Sequence, residues 1–268
     1  MSDSYERMIP VFKSYVKEKK HSHCVIGVSG GVDSTVGLLV SCEVFGGKNV
    51  TPVFMPYKYT NPARKPFLAD LCRKLGTTLL TMPLNGLIEE YTRFINQTFY
   101  NIIYGANERE LQTEIRAMTL NKVRRSKFAL LFSTLNKTEL MIGNFHNAEL
   151  TGDVLPFGDM YKTEMYGILK HYSKLEPGSF DLGYFEDNNP DSELDIDMCD
   201  EKLLGMTYKE IDELLSCALE AFKPSVALEK IEKLKERGMM DALKTVDEKI
   251  KMNSIRRKMA PPILGVTR

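Results

Sequence analysis

The sequence lacks several features that would assign a protein class at once. Its 36 basic and 36 acidic residues balance, so we expect neither nucleic acid nor an anionic membrane surface as a partner. No apolar run approaches the ~20 residues needed to span a bilayer, and no signal peptide is visible at the N-terminus. The five cysteines form no Cys-x-x-Cys pair, which excludes an obvious disulfide framework or zinc site. We therefore expect a soluble cytoplasmic protein.

The most informative segment is a glycine-rich stretch near the N-terminus. Residues 27–35 read Gly-Val-Ser-Gly-Gly-Val-Asp-Ser-Thr. The preceding residues are apolar and β-prone, and those that follow, up to Phe45, read as an uninterrupted helix. A strand, a glycine-rich turn and a helix N-terminus bring backbone N–H groups together around an anion. This arrangement predicts a phosphate-binding loop, in which Gly30 and Gly31 allow the backbone to approach the ligand closely.

This loop differs from the common P-loop, which requires a lysine directly after its glycines. No lysine follows Gly31, and Asp33 stands in the loop instead. A carboxylate beside bound phosphates is repelled unless a hard cation lies between them, so Asp33 is interpreted as a Mg²⁺ ligand. The alternative is a glycine turn between a strand and a helix, in which Asp33 only caps the helix.

Apolar segments further along the chain predict strands that alternate with helices, as in an α/β fold with a doubly wound parallel sheet and flanking helices. The predicted strands cover 24–28, 49–55, 77–82 and 140–143. The predicted helices cover 5–19, 36–45, 62–76, 85–104, 110–135, 207–220, 224–238 and 240–252. Ligands of such sheets bind beyond the carboxyl ends of strands. We therefore expect residues 27–35 and 143–149 to face one crevice.

A second set of motifs narrows the interpretation to a family. The glycine-rich loop resembles that of N-type ATP pyrophosphatases, which cleave ATP between its α- and β-phosphates. Around the fourth predicted strand, Gly143, Glu149, Asp153-Val154-Leu155-Pro156 and Lys162 follow the order that NAD synthetases carry. Further matching segments are 121–125, 190–194, 200–212 and 254–261. Because the matches keep their order over nearly the whole chain, the sequence resembles the NAD synthetase family.

The resemblance implies a fold, a reaction and partners. The fold would be adenine nucleotide alpha hydrolase-like, in a single domain over 1–268 with no glutaminase domain. In the reaction, the nicotinate carboxylate of deamido-NAD would attack the α-phosphate of ATP and release pyrophosphate. Ammonia would then displace AMP from the acyl-adenylate to give NAD, with Mg²⁺ as the metal cofactor. The family also forms homodimers that bind this substrate across the subunit interface.

The resemblance also implies roles for individual residues. Asp33 and Glu149 would hold Mg²⁺, and Asp33 and Lys162 would act in catalysis. ATP binding would involve Gly27, Ser29, Gly30, Gly31, Val32, Asp33, Ser34, Thr35, Asn144 and Lys162. Contacts to the dinucleotide would come from Arg125, Asp153, Arg256 and Arg257. The structural alternatives are a first-turn helix residue for Glu149, a solvated lysine for Lys162 and an exposed basic turn for Arg125.

The sequence departs from the family pattern at three places, and these departures bear on the identity of the substrate more than on the fold. The loop after Glu149 is short, because Thr151-Gly152 run directly into Asp153 and a lysine that contacts the dinucleotide in relatives is missing. Asn144 replaces a threonine, and Arg256-Arg257 replace a His-Lys pair but can still clamp phosphates. Two alternatives therefore remain: an ATP pyrophosphatase that adenylates another carboxylate, or a pseudoenzyme that only binds nucleotide.

Overall fold

Four short parallel strands form the centre of the fold. The computed structural model describes residues 2–99, 106–175, 181–187, 205–220 and 231–264. Within them, the strands are β1 (Cys24–Gly27), β2 (Val50–Phe54), β3 (Leu80–Thr81) and β4 (Leu130–Phe132), in the order β3-β2-β1-β4. Ile26 of β1 pairs with Pro52 on one side and with Phe132 on the other. The predicted α/β class and parallel sheet are confirmed.

Helices cover both faces of this sheet. The helices with described bounds are α1 (Ser2–Glu18), α2 (Val32–Phe45), α3 (Arg64–Lys74), α4 (Asn85–Phe99), α5 (Ala106–Lys127), α6 (Lys137–Ile142), α7 (Lys162–Leu175), α8 (Gly183–Asp187), α9 (Tyr208–Glu220), α10 (Met240–Met252) and α11 (Ser254–Arg257). Two 3₁₀ turns cover Gly47–Asn49 and Asn147–Leu150. None of the helices in the described part of the chain is long and apolar enough to span a membrane.

The alternation of side chains along β1 separates the two layers of the core. Cys24 and Ile26 pack with residues of α1, α2 and α7. Val25, which points the other way as a strand requires, packs with residues of α4 and α5, including Ile88 and Ile115. The sheet is therefore doubly wound, with a helical layer on each face. A further cluster joins α6 to α9 and α10.

The predicted fourth strand at 140–143 is wrong, because residues 137–142 form α6. Asn136 begins this helix with a capping box: its side chain accepts the Glu139 N–H, and the Glu139 carboxylate accepts the Asn136 N–H. The true strand β4 lies inside the predicted helix 110–135, which ends at Lys127. Leu130 to Phe132 are fully apolar and buried, and short apolar runs of this kind do not distinguish strand from helix.

The other predicted elements fall close to the observed ones. The third strand is only Leu80–Thr81 rather than 77–82. The predicted helix 85–104 is observed to Phe99, and its remainder lies outside the described residues. Of the predicted helix 224–238, residues 231–236 are helical and the part before 231 lies outside the described residues.

The sheet order creates one topological switch point. The chain leaves β1 toward β2 and β3 and later returns to the other side of β1 as β4. The loops that follow β1 and β4 therefore diverge at the carboxyl edge of the sheet and leave a crevice between them. These loops contain Ser29 to Gly31 and Ser133 to Asn136.

Candidate active site

Hydrogen bonds from hydroxyl groups within the glycine-rich loop after β1 fix the shape of that loop. The Ser29 and Ser34 hydroxyl oxygens lie 3.1 Å apart, and the Gly31 N–H donates to Ser29 Oγ at 3.2 Å. Gly30 has a φ of +86°, which favours glycine. A Cβ there would lie 3.0 Å from Tyr184 Oη and 3.3 Å from Arg64 Cγ. Loop shape and close packing thus both require glycine at position 30.

The N-terminus of α2 points into the crevice without a side-chain cap. Its N-cap residue is Gly31, which makes no side-chain cap hydrogen bond. The first turn of a helix carries N–H groups and a partial positive charge, which suit an anion such as phosphate. Arg64 adds a buried guanidinium beside this loop, and its Nη1 donates to the Ser29 carbonyl oxygen at 3.3 Å.

The centre of the site is an ion pair between Asp33 and Lys162. The Lys162 ammonium donates to Asp33 Oδ2, and Asn136 Nδ2 donates to Asp33 Oδ1 at 3.0 Å. Glu139 Oε1 lies 3.5 Å from the same ammonium. Since the Lys162 side chain is only 4% exposed, the solvated-lysine alternative is wrong. Residues that are 129 positions apart in sequence thus form one charged cluster at the switch point.

The electrostatics of this cluster keep Lys162 charged. Burial by itself lowers the pKa of the ammonium, but the carboxylates of Asp33 and Glu139 outweigh burial and raise that pKa above its ordinary value. The ring of Tyr208 adds a cation–π contact, with its centroid 5.0 Å from Nζ. Lys162 therefore stays protonated as the counter-ion of Asp33 in the crevice.

A buried hydrogen-bond relay fixes the helix that carries Lys162. The Lys162 N–H, at the start of α7, donates to Thr138 Oγ1 at 2.9 Å. Thr138 Oγ1 in turn donates to Asp212 Oδ1, and Asp212 Oδ2 accepts the Thr163 N–H at 2.9 Å. Asp212 belongs to α9, so a helix of the C-terminal third supplies the anion that caps α7.

We expect Thr138→Val to lower kcat by about tenfold or more, because loss of the hydroxyl lets the start of α7 move and small displacements of catalytic groups are costly. Thr138→Ser is the matched control, since it retains the hydroxyl. The measurement is kcat together with the thermal unfolding midpoint of both variants. Equal kcat values for the two variants would show that the relay does not position Lys162.

Glu139 gives the site a pH-dependent cost in stability. Burial, followed by repulsion from Asp33 and Glu149, raises its pKa from 4.5 to about 8, although Lys162 opposes the shift. A carboxyl group with a raised folded-state pKa favours folding at low pH, so the wild type loses stability as pH rises from about 4.5 to about 8. Glu139→Gln lacks this titration. We expect its unfolding free energy relative to wild type to increase across that interval in urea titrations, whereas parallel pH profiles would contradict this.

Glu149 lies on the 3₁₀ turn Asn147–Leu150 rather than after a strand. Its carboxylate accepts the His146 N–H, and His146 Nδ1 accepts the Ala148 N–H at 3.1 Å. This is the capping arrangement of the structural alternative, yet Glu149 is exposed and near enough to raise the pKa of Glu139. Its metal role stays a prediction.

The donor set suits a hard cation that is shared with a ligand. No group of three or more His, Cys, Asp or Glu side chains in the described ranges is arranged to hold a metal. Mg²⁺ is commonly held by only one or two carboxylates, with phosphate oxygens and water completing its octahedron. Asp33, at the phosphate loop, therefore has the chemistry of a ligand for nucleotide-bound Mg²⁺, and its pairing with Glu149 at that cation stays a prediction.

The residues predicted to bind the dinucleotide lie in several places. Asp153 accepts two hydrogen bonds from Arg124 Nη1, at 2.9 and 2.8 Å, and one from the Leu131 N–H at 2.8 Å. Arg125 is exposed at the C-terminal end of α5. The structure thus gives Asp153 a bond to β4, and its contact with substrate stays a prediction, as does that of Arg125.

Asn144, Arg256 and Arg257 lie together beyond α6. Asn144 is exposed in the loop that follows α6, and its N–H donates to the Glu139 carbonyl oxygen at 3.1 Å. Arg256 contacts the same loop through several hydrogen bonds, and Arg257 Nη1 lies 3.5 Å from the Met141 carbonyl oxygen. The structure groups these three residues near the turn of Glu149.

Sequence reasoning missed three residues of the site: Asn136, Glu139 and Arg64. A signal for the first two was present, because Asn136-Lys137-Thr138-Glu139 has the spacing of a capping box. That pattern predicts a helix start at the position where a strand was expected. Arg64 had no such signal, since only the folded chain brings α3 to the loop after β1.

Comparisons with known proteins identify the family of the chain. The NAD synthase family model matches residues 4–260. The NH(3)-dependent NAD(+) synthetase of Chlorobaculum parvum is 28% identical over 214 residues, which cover 80% of this chain and 73% of that protein.

Solved structures share the adenine nucleotide alpha hydrolase-like fold. The NMN synthetase from Francisella tularensis matches with a TM-score of 0.77 at 19% identity, over 97% of this chain and 96% of that one. The NH3-dependent NAD synthetase from Campylobacter jejuni matches with a TM-score of 0.72 at 21% identity, over 95% of each chain. With the family match over residues 4–260, the conclusion is that the chain belongs to the NAD synthase family, whose members are ligases that form a C–N bond.

Proposed function

We propose that this protein is an ammonia-dependent NAD synthetase, which uses ATP to convert deamido-NAD into NAD, AMP and pyrophosphate. The observation that carries the proposal is the buried contact of Lys162 with Asp33 beneath the glycine-rich loop. A protein that only binds nucleotide has little need for a buried lysine between two carboxylates at its phosphate loop. The pseudoenzyme alternative is therefore disfavoured.

The residues of the site suit the formation of an acyl-adenylate. A carboxylate is a poor acyl donor, so the enzyme must hold two polyanions together and stabilise the pyrophosphate that leaves. The N–H groups of the loop and of α2 would bind phosphate oxygens, and Lys162 would follow the negative charge that develops on the leaving group. Mg²⁺, held by Asp33 and Glu149 when bound, would neutralise phosphate charge.

A second candidate acceptor is the mononucleotide half of deamido-NAD. The short loop after Glu149 and the pairing of Asp153 with Arg124 favour it, because both reduce the contacts that a full dinucleotide would receive. The fold match to a protein named NMN synthetase makes this acceptor a reasonable second choice. The bond formed would still join an amide nitrogen to the nicotinate carbonyl.

The test offers the two acids separately to the purified protein with ATP, Mg²⁺ and ammonium. Products are identified by mass spectrometry, with Asp33→Ala as the control. We expect NAD, AMP and pyrophosphate from deamido-NAD, all lost in the variant. Amide product from the mononucleotide alone would select the second candidate. ATP binding with no amide from either acid would refute both and direct the search to other carboxylates.

We also propose that the protein is a homodimer, as the family resemblance implies. Leu87 and Tyr91 of α4 stand four positions apart, on one face of the helix, and are 46% and 45% exposed. A face of this kind suits a subunit contact. The double variant Leu87→Glu/Tyr91→Glu is expected to elute as a monomer in size-exclusion chromatography with light scattering. A dimer that persists in this variant would place the interface elsewhere.

The proposal also includes the nitrogen donor and the cellular location of the protein. Free ammonia is the donor that we propose, because the NH(3)-dependent NAD(+) synthetase of Chlorobaculum parvum is similar to this chain over 214 residues. The cytoplasmic location expected from the sequence stays a prediction.

A further inference from the structure

Arg256 of α11 holds the loop between α6 and the turn that carries Glu149. Its Nε donates to Asn147 Oδ1 at 3.0 Å, and its Nη1 donates to the Gly143 carbonyl oxygen at 3.2 Å. Its Nη2 donates to the Phe145 carbonyl oxygen. The guanidinium carbon lies 4.2 Å from the centroid of the Phe145 ring, which adds a cation–π contact.

Asn253 extends this attachment by one turn of helix. It accepts a hydrogen bond from Arg256 Nη1 at 3.1 Å, and its Nδ2 donates to the Ile142 carbonyl oxygen at 3.1 Å. Gly143 has a φ of +77°, and a Cβ there would lie 2.2 Å from the Asn253 side chain. The loop is therefore packed tightly against the C-terminal helices, and Gly143 allows this close approach.

These contacts use most of the donor capacity of Arg256. A guanidinium carries five N–H donors, and the four hydrogen bonds at Asn147, Gly143, Asn253 and Phe145 occupy four of them. Bidentate binding of a phosphate requires two donors on the same side of the group. The arrangement therefore conflicts with the phosphate-clamping role that the resemblance implies for Arg256.

We propose that Arg256 is a positioning residue, which fixes the loop 143–147 and, through it, the turn of Glu149, and that it does not bind the dinucleotide. The connection is direct, because the His146 N–H that Glu149 accepts lies between two anchored residues, Phe145 and Asn147. The inference rests on the proposed function only where it assigns Glu149 to the metal of Mg·ATP.

The test compares Arg256→Met with Arg257→Met as a matched control. Arg257 is the next residue, is also half-buried and makes a 3.5 Å hydrogen bond to Met141. Hydrogen exchange of the ligand-free variants reports on loop 143–149. Calorimetric titration with ATP, in Mg²⁺ and separately in EDTA, reports on the metal site, and steady-state kinetics give kcat and the KM for deamido-NAD.

For Arg256→Met we expect faster exchange in 143–149 and ATP affinity about tenfold lower in Mg²⁺, as is common when contacts that support metal ligands are lost. Affinity in EDTA and the KM for deamido-NAD should not change, whereas kcat should fall. Arg257→Met should match wild type in the hydrogen exchange of loop 143–149 and in the affinity for ATP in Mg²⁺. Arg256→Lys, which retains the charge but not the fork, should show the same pattern if the methionine variant fails to fold.

Two results would overturn the inference. Unchanged exchange with a KM for deamido-NAD raised tenfold would make Arg256 a substrate contact. Faster exchange with unchanged ATP affinity in Mg²⁺ would show that the order of the loop does not affect the metal site. Exchange and calorimetry need no turnover, so a wild-type protein that makes no NAD would count against the proposed function alone.

Discussion

Asp33→Asn is expected to lower kcat by about 10³-fold, because it removes the carboxylate that faces both the phosphate loop and Lys162. Preorganised charge of this kind commonly contributes about 10²–10³ to the rate, and Asp33 is also the first proposed metal ligand. The amide has the same shape and can still accept from Asn136. A lower kcat in this variant would therefore reflect the loss of the negative charge rather than a change in packing.

Asp159→Asn is the matched control for this substitution. Asp159 pairs with Lys137 at 3.3 Å and has a side-chain exposure of 21%, against 16% for Asp33. We expect this variant to keep nearly full activity. The assay is NAD formation from deamido-NAD, with thermal unfolding to confirm that both variants fold. Comparable losses in the two variants would mean that Asp33 acts only through general electrostatics.

Lys162→Met is expected to have two large effects that can be separated. It removes the cation that faces the leaving pyrophosphate, so kcat should fall by about 10²-fold or more. It also leaves Asp33 and Glu139 close together without a counter-ion, and removing one partner of a buried ion pair costs about 3–5 kcal/mol. Loss of activity alone would therefore not distinguish chemistry from folding.

The double variant Lys162→Met/Glu139→Gln makes that distinction. Because the pKa of Glu139 is about 8, the comparison is made at pH 9, where neutralising Glu139 relieves its repulsion with Asp33 and the unfolding free energy in urea should recover toward wild type. The rate should not recover, because no cation returns to the crevice. If stability and kcat recovered together, Lys162 would serve the fold rather than the reaction.

Local patterns in the sequence predicted the strand, the glycine turn and the helix of segment 24–45 correctly. The segment 24–45 can be predicted from local sequence alone, because a β-prone run, two glycines and an uninterrupted helical stretch follow one another and need no long-range contacts to be recognised. The observed β1, Gly30 at positive φ and α2 match that prediction. Lys162 was identified through the family resemblance, since no periodicity links it to a residue so far away.

Other features of the site depend on partners that are set by tertiary structure, and the substrate contacts of Asp153 and Arg256 stay predictions. Asp153 and Arg256 have the charges that a substrate site needs, and residue type alone could not show that Arg124 and the carbonyl oxygens of 143–145 engage them in the ligand-free protein. The displaced strand has a different cause. Leu130 to Phe132 is too short to show a period, whereas the capping box at Asn136 was readable and was overlooked.

The pairing of β1 with β4 has a consequence for how the chain reaches its native state. Cys24 lies opposite Leu130, so the crevice closes only when segments more than a hundred positions apart meet. Contacts of such high sequence separation form slowly, after loop closure has been overcome. ATP can bind only after this step. Nucleotide should therefore stabilise the finished protein against unfolding, because it binds only the arrangement in which β1 and β4 are paired.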